Sequence, residues 1–381
     1  MQATSSSPCQ RAIPWGLIGM IGLVGAFETQ KVRRDFALIS GQAASWRFTA
    51  RQLNYRGKSA EILCLGDSLI KFGVVPQVLE HETGKSAFNL ALLSAPAPAS
   101  YMMLSRVLER GGRPRAVLVD FNCEILKEGP RSTKRPYPWA DLLTFAELAE
   151  LSRVLREPDF FVRVTLNRVL AAVKNRFEIR ENVLAALNNQ PIHLRDVAPG
   201  FERNWTFNGG AQVHGKRSYQ EGALPPDAEP QVSDGSCDPV NAIYLERFLN
   251  LAKRRDITVF WVIPPFSPIN QAWMRYLGEE AAFDRFLNLV QERHPELVVL
   301  DARYSGYVHD LFFDGVHLDG DGAAGFSVAL ARCVNLHLAA PGTSPRRVKL
   351  PAYRPFVGST PIEVFGSSVV ALRARDAAVR R

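Results

Sequence analysis

At 381 residues the chain exceeds one ordinary domain of ~100 to 200 residues and has room for an α/β core with additions. A composition of 46% hydrophobic, 10% aromatic and 22% charged residues excludes wholesale disorder, collagen-like repeats and a multi-span membrane protein. The formal charge of +8 is concentrated at one end: residues 341–381 carry eight basic and two acidic side chains, so the body is close to neutral and nucleic acid is not an expected partner.

The first 34 residues read as a signal or anchor segment. Ala12–Phe27 (AIPWGLIGMIGLVGAF) contains no charge, and a helix of this length spans ~24 Å against the ~30 Å of a hydrocarbon core, so a cleaved signal peptide and a short membrane anchor both fit. Lys31, Arg33 and Arg34 follow the segment and only Arg11 precedes it. By the positive-inside tendency that bias would keep the body cytoplasmic.

Short apolar runs then recur. Glu61–Leu65, Ser86–Leu90, Arg115–Phe121, Ile257–Ile263 and Leu297–Leu300 read as buried parallel strands. Helical stretches are expected at Pro76–Thr83, Tyr101–Arg110, Asn241–Arg255, Gln271–Arg293 and Asp321–Leu336, several with Pro in the first turn or Gly at the stop. Strands alternating with helices predict a three-layer α/β/α fold with about five parallel strands, the core being 55–128 and 240–338. Residues 129–239 form an insertion between strands three and four. Apolar stripes predict helices within Asp141–Leu155 and Phe161–Leu187, and 190–239, with Pro225 and Pro226, reads as a long loop; together they are expected to cap the strand ends. The basic tail 341–381, rich in Pro and Gly, is expected to be extended or disordered.

Five cysteines form no CxxC pair and no cluster with histidine, so neither a disulfide scaffold nor a metal site is indicated, and no cofactor motif is present. Ligands of parallel sheets gather where strands end. The first strand runs into Gly66-Asp67-Ser68-Leu69. A serine there can face a cleft as a nucleophile, or Asp67 and Ser68 can simply cap the next helix. A nucleophilic serine needs a base, and the base an orienting carboxylate. Of seven histidines only His317 follows a carboxylate, Asp314, by three residues between the last strand and the last helix, on the same sheet edge as Ser68. Lys71 is either a solvated lysine or a contact for an anionic substrate group. Asn204-Trp205-Thr206 fits a glycosylation sequon.

GDSL after the first strand, paired with D-x-x-H before the last helix, resembles the SGNH (GDSL-type) hydrolase superfamily. The resemblance implies a flavodoxin-like fold with Ser68 as nucleophile, His317 as general base and Asp314 as its orienting group. It also implies an oxyanion hole formed by Ser68, a residue after the second strand and an asparagine after the third. Asn122 supplies the asparagine, whereas Ala91 and Ser94 stand where glycines are expected, which makes Ser94 the implied third donor. The layout of an apolar N-terminal segment, an insertion and D-x-x-H-L near the end is similar to membrane-anchored relatives of polysaccharide O-acetyltransferases. That likeness implies a membrane-anchored, extracytoplasmic protein acting on acyl esters or envelope glycans, against the flanking-charge bias. The alternative is a catalytically silent SGNH-fold glycan-binding or scaffold protein of the envelope, which the two missing glycines favour. The oligomeric state is not legible.

Overall fold

The computed structural model describes residues 15–32, 41–53, 56–130, 137–189, 197–217, 236–340 and 345–379. Six strands form one parallel sheet: β1 (Ile62–Leu65), β2 (Ala87–Asn89), β3 (Ala116–Val119), β4 (Thr258–Ile263), β5 (Val298–Asp301) and β6 (Arg347–Lys349), in the order β2-β1-β3-β4-β5-β6. The first five follow the 2-1-3-4-5 order of flavodoxin-like sheets, in which the order reverses beside β1. Each predicted strand is present, and β6 is an addition.

Side chains alternate across the sheet with period two. Leu63, Leu65, Val117, Val119, Val259, Trp261 and Val299 join one core, and Ile62, Cys64, Leu118, Phe260, Val262, Val298 and Leu300 join the other. Both faces are therefore sealed, as an all-parallel sheet requires.

Seventeen α-helices are described. N-terminal to the sheet lie α1 (Trp15–Val32) and α2 (Gly41–Gln52). The core helices begin with α3 (Ser68–Gly73), α4 (Pro76–Thr83), α5 (Ala97–Glu109) and α6 (Cys123–Lys127). The insertion contributes α7 (Tyr137–Leu142), α8 (Phe145–Leu155), α9 (Pro158–Val169), α10 (Ala171–Lys174), α11 (Arg176–Leu187) and α12 (Val197–Phe207). The second half of the core adds α13 (Pro239–Arg254), α14 (Pro268–Tyr276), α15 (Glu279–Arg293) and α16 (Gly320–Ala339), and the tail ends in α17 (Phe365–Val379). The single helix expected over Gln271–Arg293 is two, because Gly278 takes φ 72° between α14 and α15. In the insertion Thr144 starts α8 with a reciprocal capping box to Glu147, which divides the expected Asp141–Leu155 helix in two.

Two expectations are corrected. The stretch read as a long loop contains α12, followed by 208–217, which lies against the core: Asn89 N donates to Gly209 O and Gln212 N to Lys71 O, both at 2.9 Å. Pro225 and Pro226 lie outside the described residues. The tail is likewise built into the fold. β6 pairs in register with β5, and Arg347 joins Arg303, Asp284 and Asp301 in an ion network at the sheet edge. Further along, Arg203 on α12 grips Glu363 through two 2.7 Å bonds, and Phe365 stacks on Phe201 with centroids 4.5 Å apart.

α1 presents Trp15, Ile18, Met20 and Leu23 to the outside. Among the described residues no helix is long and apolar enough to cross a membrane.

Candidate active site

The turn after β1 is shaped by close packing. Gly66 has φ 114°, and a Cβ there would lie 1.7 Å from Asp120 Oδ1 and 2.7 Å from Asp120 O, so only glycine fits. The next residue, Asp67, donates its N–H to Asp120 Oδ1 at 2.8 Å and accepts from Leu69 N at 2.7 Å as the N-cap of α3. The capping role foreseen for this turn thus falls to Asp67 alone. Ser68 is left at the first helical position, half-buried, with its side chain directed elsewhere.

That direction is towards His317, whose Nε2 lies 2.9 Å from Ser68 Oγ. His317 Nδ1 in turn lies 2.8 Å from Asp314 Oδ2 and 3.1 Å from Oδ1. An ionised carboxylate only accepts, so Nδ1 keeps its proton and donates it in a hydrogen bond to Asp314, which leaves Nε2 a lone pair for the serine hydroxyl. Asp314 is fixed in turn, since Oδ1 accepts the backbone N–H groups of Val316 at 2.9 Å and His317 at 2.7 Å. Burial pushes the Asp314 carboxyl up, but the bonds from the His317 ring and those two amides outweigh it and hold it below the usual carboxylate range. The loop carrying both residues is closed by the Phe312–Leu318 bridge and by Phe313 N donating to His317 O at 2.8 Å. Phe72 of α3 packs perpendicular to the imidazole with centroids 4.6 Å apart, which limits ring rotation. The three residues singled out as nucleophile, base and orienting group, separated by up to 249 positions, therefore meet in one hydrogen-bonded chain.

The expected oxyanion donors lie at the adjoining strand ends. Leu65 pairs with Val119, so Ser68 and Asn122 are each the third residue beyond that pair. Asn122 Oδ1 caps α6 by accepting from Glu124 N at 3.0 Å, and its amide NH₂ donates to no described residue. Nor do the N–H groups of Ser68 and Ser94 meet an acceptor among the described residues. Ser94 is exposed and has φ 53°, the left-handed region that favours glycine. Its loop is tied to the nucleophile turn by Leu92 N donating to Gly66 O at 3.0 Å.

Asp120 was not foreseen. It is 3% exposed, and burial, then the charge of neighbouring Asp67, pushes its carboxyl well above the usual range. A buried carboxyl of raised pKa thus holds the back of the Ser68 turn. Its only signal in the sequence is its place directly after a strand.

Lys71 is neither solvated nor open to substrate. Its side chain is fully buried, with Nζ 3.1 Å from Thr49 Oγ1 and 5.4 Å from the centre of the Trp205 ring, and burial lowers its pKa to about 7. Asn204 is no glycosylation acceptor in this fold. It too is fully buried, donating to Glu363 O at 2.6 Å and Ser368 Oγ at 3.2 Å while accepting from Val213 N at 2.8 Å.

Among the described residues no group of three or more His, Cys, Asp or Glu side chains is placed to hold a metal ion. A surface cavity of about 510 Å³ lined by Lys253, His294 and His337 lies at the amino ends of β4 and β5, where ligands of such sheets do not gather. Compared with known protein families and with curated proteins, the chain has no match.

Proposed function

We propose that this protein is a serine-dependent acyl-ester hydrolase or O-acyltransferase of the SGNH type, acting on acyl esters or glycans of the cell envelope. The observation that carries this reading is the 2.9 Å approach of His317 Nε2 to Ser68 Oγ, with Asp314 holding Nδ1. In the proposed reaction His317 takes the Ser68 proton as Oγ bonds to the ester carbonyl carbon. The carbonyl oxygen becomes an oxyanion facing the N–H groups of Ser68, Ser94 and Asn122. Collapse breaks the bond to the alcohol, which departs with the proton from His317. Water or a sugar hydroxyl then gives its proton to His317 and its oxygen to the acyl carbon, and the bond from that carbon to Ser68 Oγ breaks as Oγ takes the proton back from His317. No step calls for a metal or cofactor.

The test is covalent. A serine-directed phosphonate should label the full-length chain, with Ser68→Ala abolishing the label and His317→Ala slowing ester turnover by roughly 10³-fold or more. Equal labelling of the Ser68→Ala variant would refute the assignment. Glycan binding with neither label nor turnover would return the silent scaffold reading. We further place the protein at a membrane, held by its N-terminal segment with the body on the extracytoplasmic side. The uncharged run Ala12–Phe27 and the exposed apolar side chains of α1 support the membrane placement, and the layout resemblance supports the side.

A further inference from the structure

A second imidazole borders the site, and a chain of donors sets its tautomer. Trp205 Nε1 can only donate, and it lies 3.1 Å from Gln212 Oε1. The other end of that amide is therefore a donor, and Gln212 Nε2 lies 3.1 Å from His214 Nε2. His214 Nε2 must then be an unprotonated acceptor, so the neutral ring carries its proton on Nδ1. No described residue accepts that proton, and the atom is not sealed from solvent. Burial, then the nearby charge of His317, lowers the pKa of His214 to about 4, so the ring is neutral near neutral pH.

The ring is held firmly. It stacks on Phe313, the residue before Asp314, with centroids 4.2 Å apart, and meets the edge of Phe72 at 4.9 Å. The same Phe72 touches His317. The His214 carbonyl accepts from Gly320 N at 2.8 Å, which ties the segment to the start of α16. His214 thus approaches from the side of the general base. In acyl transfer the base returns its proton to the departing alcohol, so a group flanking His317 meets the alcohol half of the ester and not the acyl half.

We propose that His214 is a positioning residue for that alcohol half, its Nδ1–H donating to a second oxygen beyond the ester itself, so that polyhydroxylated alcohols such as sugars are preferred. This rests on the serine-ester reading and names its substrate class.

Two measurements on the full-length chain test it. Long-range ¹H–¹⁵N NMR of the histidine rings should show His214 protonated on Nδ1, with the resonance assigned by its loss in His214→Phe. The ratio of kcat/KM for an O-acetylated monosaccharide to that for ethyl acetate should fall about tenfold in His214→Phe, mainly through KM, as expected for one hydrogen bond. Gln212→Met keeps the ring and its stacking but frees Nε2, and should both populate the other tautomer and lower the same ratio. A wild-type ring protonated on Nε2, or ratios that stay within about twofold in both variants, would overturn the proposal. Absence of Ser68 labelling in the wild type removes the underlying reading instead, and the proposal with it, even where the NMR shows Nδ1–H.

Discussion

Asp120 illustrates how a single side chain sets the conditions under which the nucleophile turn is stable. Its raised carboxyl keeps a proton in the folded chain that the unfolded chain gives up above ~3.9. The stability it contributes is therefore complete below that unfolded value and is lost as pH rises through the folded one. Asp120→Asn keeps an oxygen for the Asp67 N–H and removes the titration. The variant should have a flatter thermal midpoint on the alkaline side and be the more stable protein at pH 9, by ~1 kcal/mol or more. An alkaline slope equal to that of wild type would mean that Asp120 is ionised in the native state.

Residues of this kind mark the limit of what the sequence discloses. Ser68, Asp314 and His317 were legible because each belongs to a short motif fixed to the end of a strand that its apolar run reveals. Asp120, His214 and Lys71 belong to no such motif. Their roles come from contacts across the chain: Asp120 with Asp67, His214 with Phe72 and Gln212, Lys71 with Thr49. Ser94 lies between these cases, since its position was readable from the block it replaces but its left-handed backbone was not.

At the scale of elements, β1, β3, β4 and β5 were readable because four or five consecutive residues, ending at Leu65, Val119, Ile263 and Leu300, are apolar and buried. β6 is Arg-Val-Lys, too short and too charged to register as a strand, and it is held by backbone pairing and by Arg347 with Asp284 and Asp301. α12 was hidden by Pro199 and Gly200. Pro199 sits in the first turn, where it removes no helical hydrogen bond, and Gly200 allows close approach of the Phe365 ring. The tail thus buttresses α12, and α12 leads directly into the segment carrying Gln212 and His214. Truncation after residue 344 should lower stability by several kcal/mol in denaturant unfolding, given the loss of a strand, a helix and the buried partners of Asn204. It should also slow phosphonate labelling of Ser68, although no deleted residue is part of the Ser68–His317–Asp314 chain. A disordered tail would leave both quantities unchanged.

For the molecule as a whole, the additions divide into parts the core needs and a part it does not. α2 is integral: Trp46 is fully buried and meets Trp139 edge-on with centroids 5.1 Å apart, and Thr49 receives Lys71. α1, by contrast, leaves Trp15 and Leu23 more than 70% exposed. Deleting residues 1–40 should therefore move the protein from the membrane fraction to the soluble fraction while Ser68 labelling persists. Deletion of 1–53 should abolish labelling through loss of the fold. An unchanged partition of the 1–40 deletion on fractionation would place the membrane attachment elsewhere or dispense with it.

The separation of 249 positions between Ser68 and His317 also has a consequence in time. Chains grow at ~5 to 20 residues per second, so Ser68 emerges from the ribosome about 12 to 50 seconds before His317. Throughout that interval the His317 partner of its hydroxyl is missing. On the proposed reading, a nascent or prematurely terminated chain would thus carry an unactivated serine, and the proposed reactivity would arrive only with the final helix of the core.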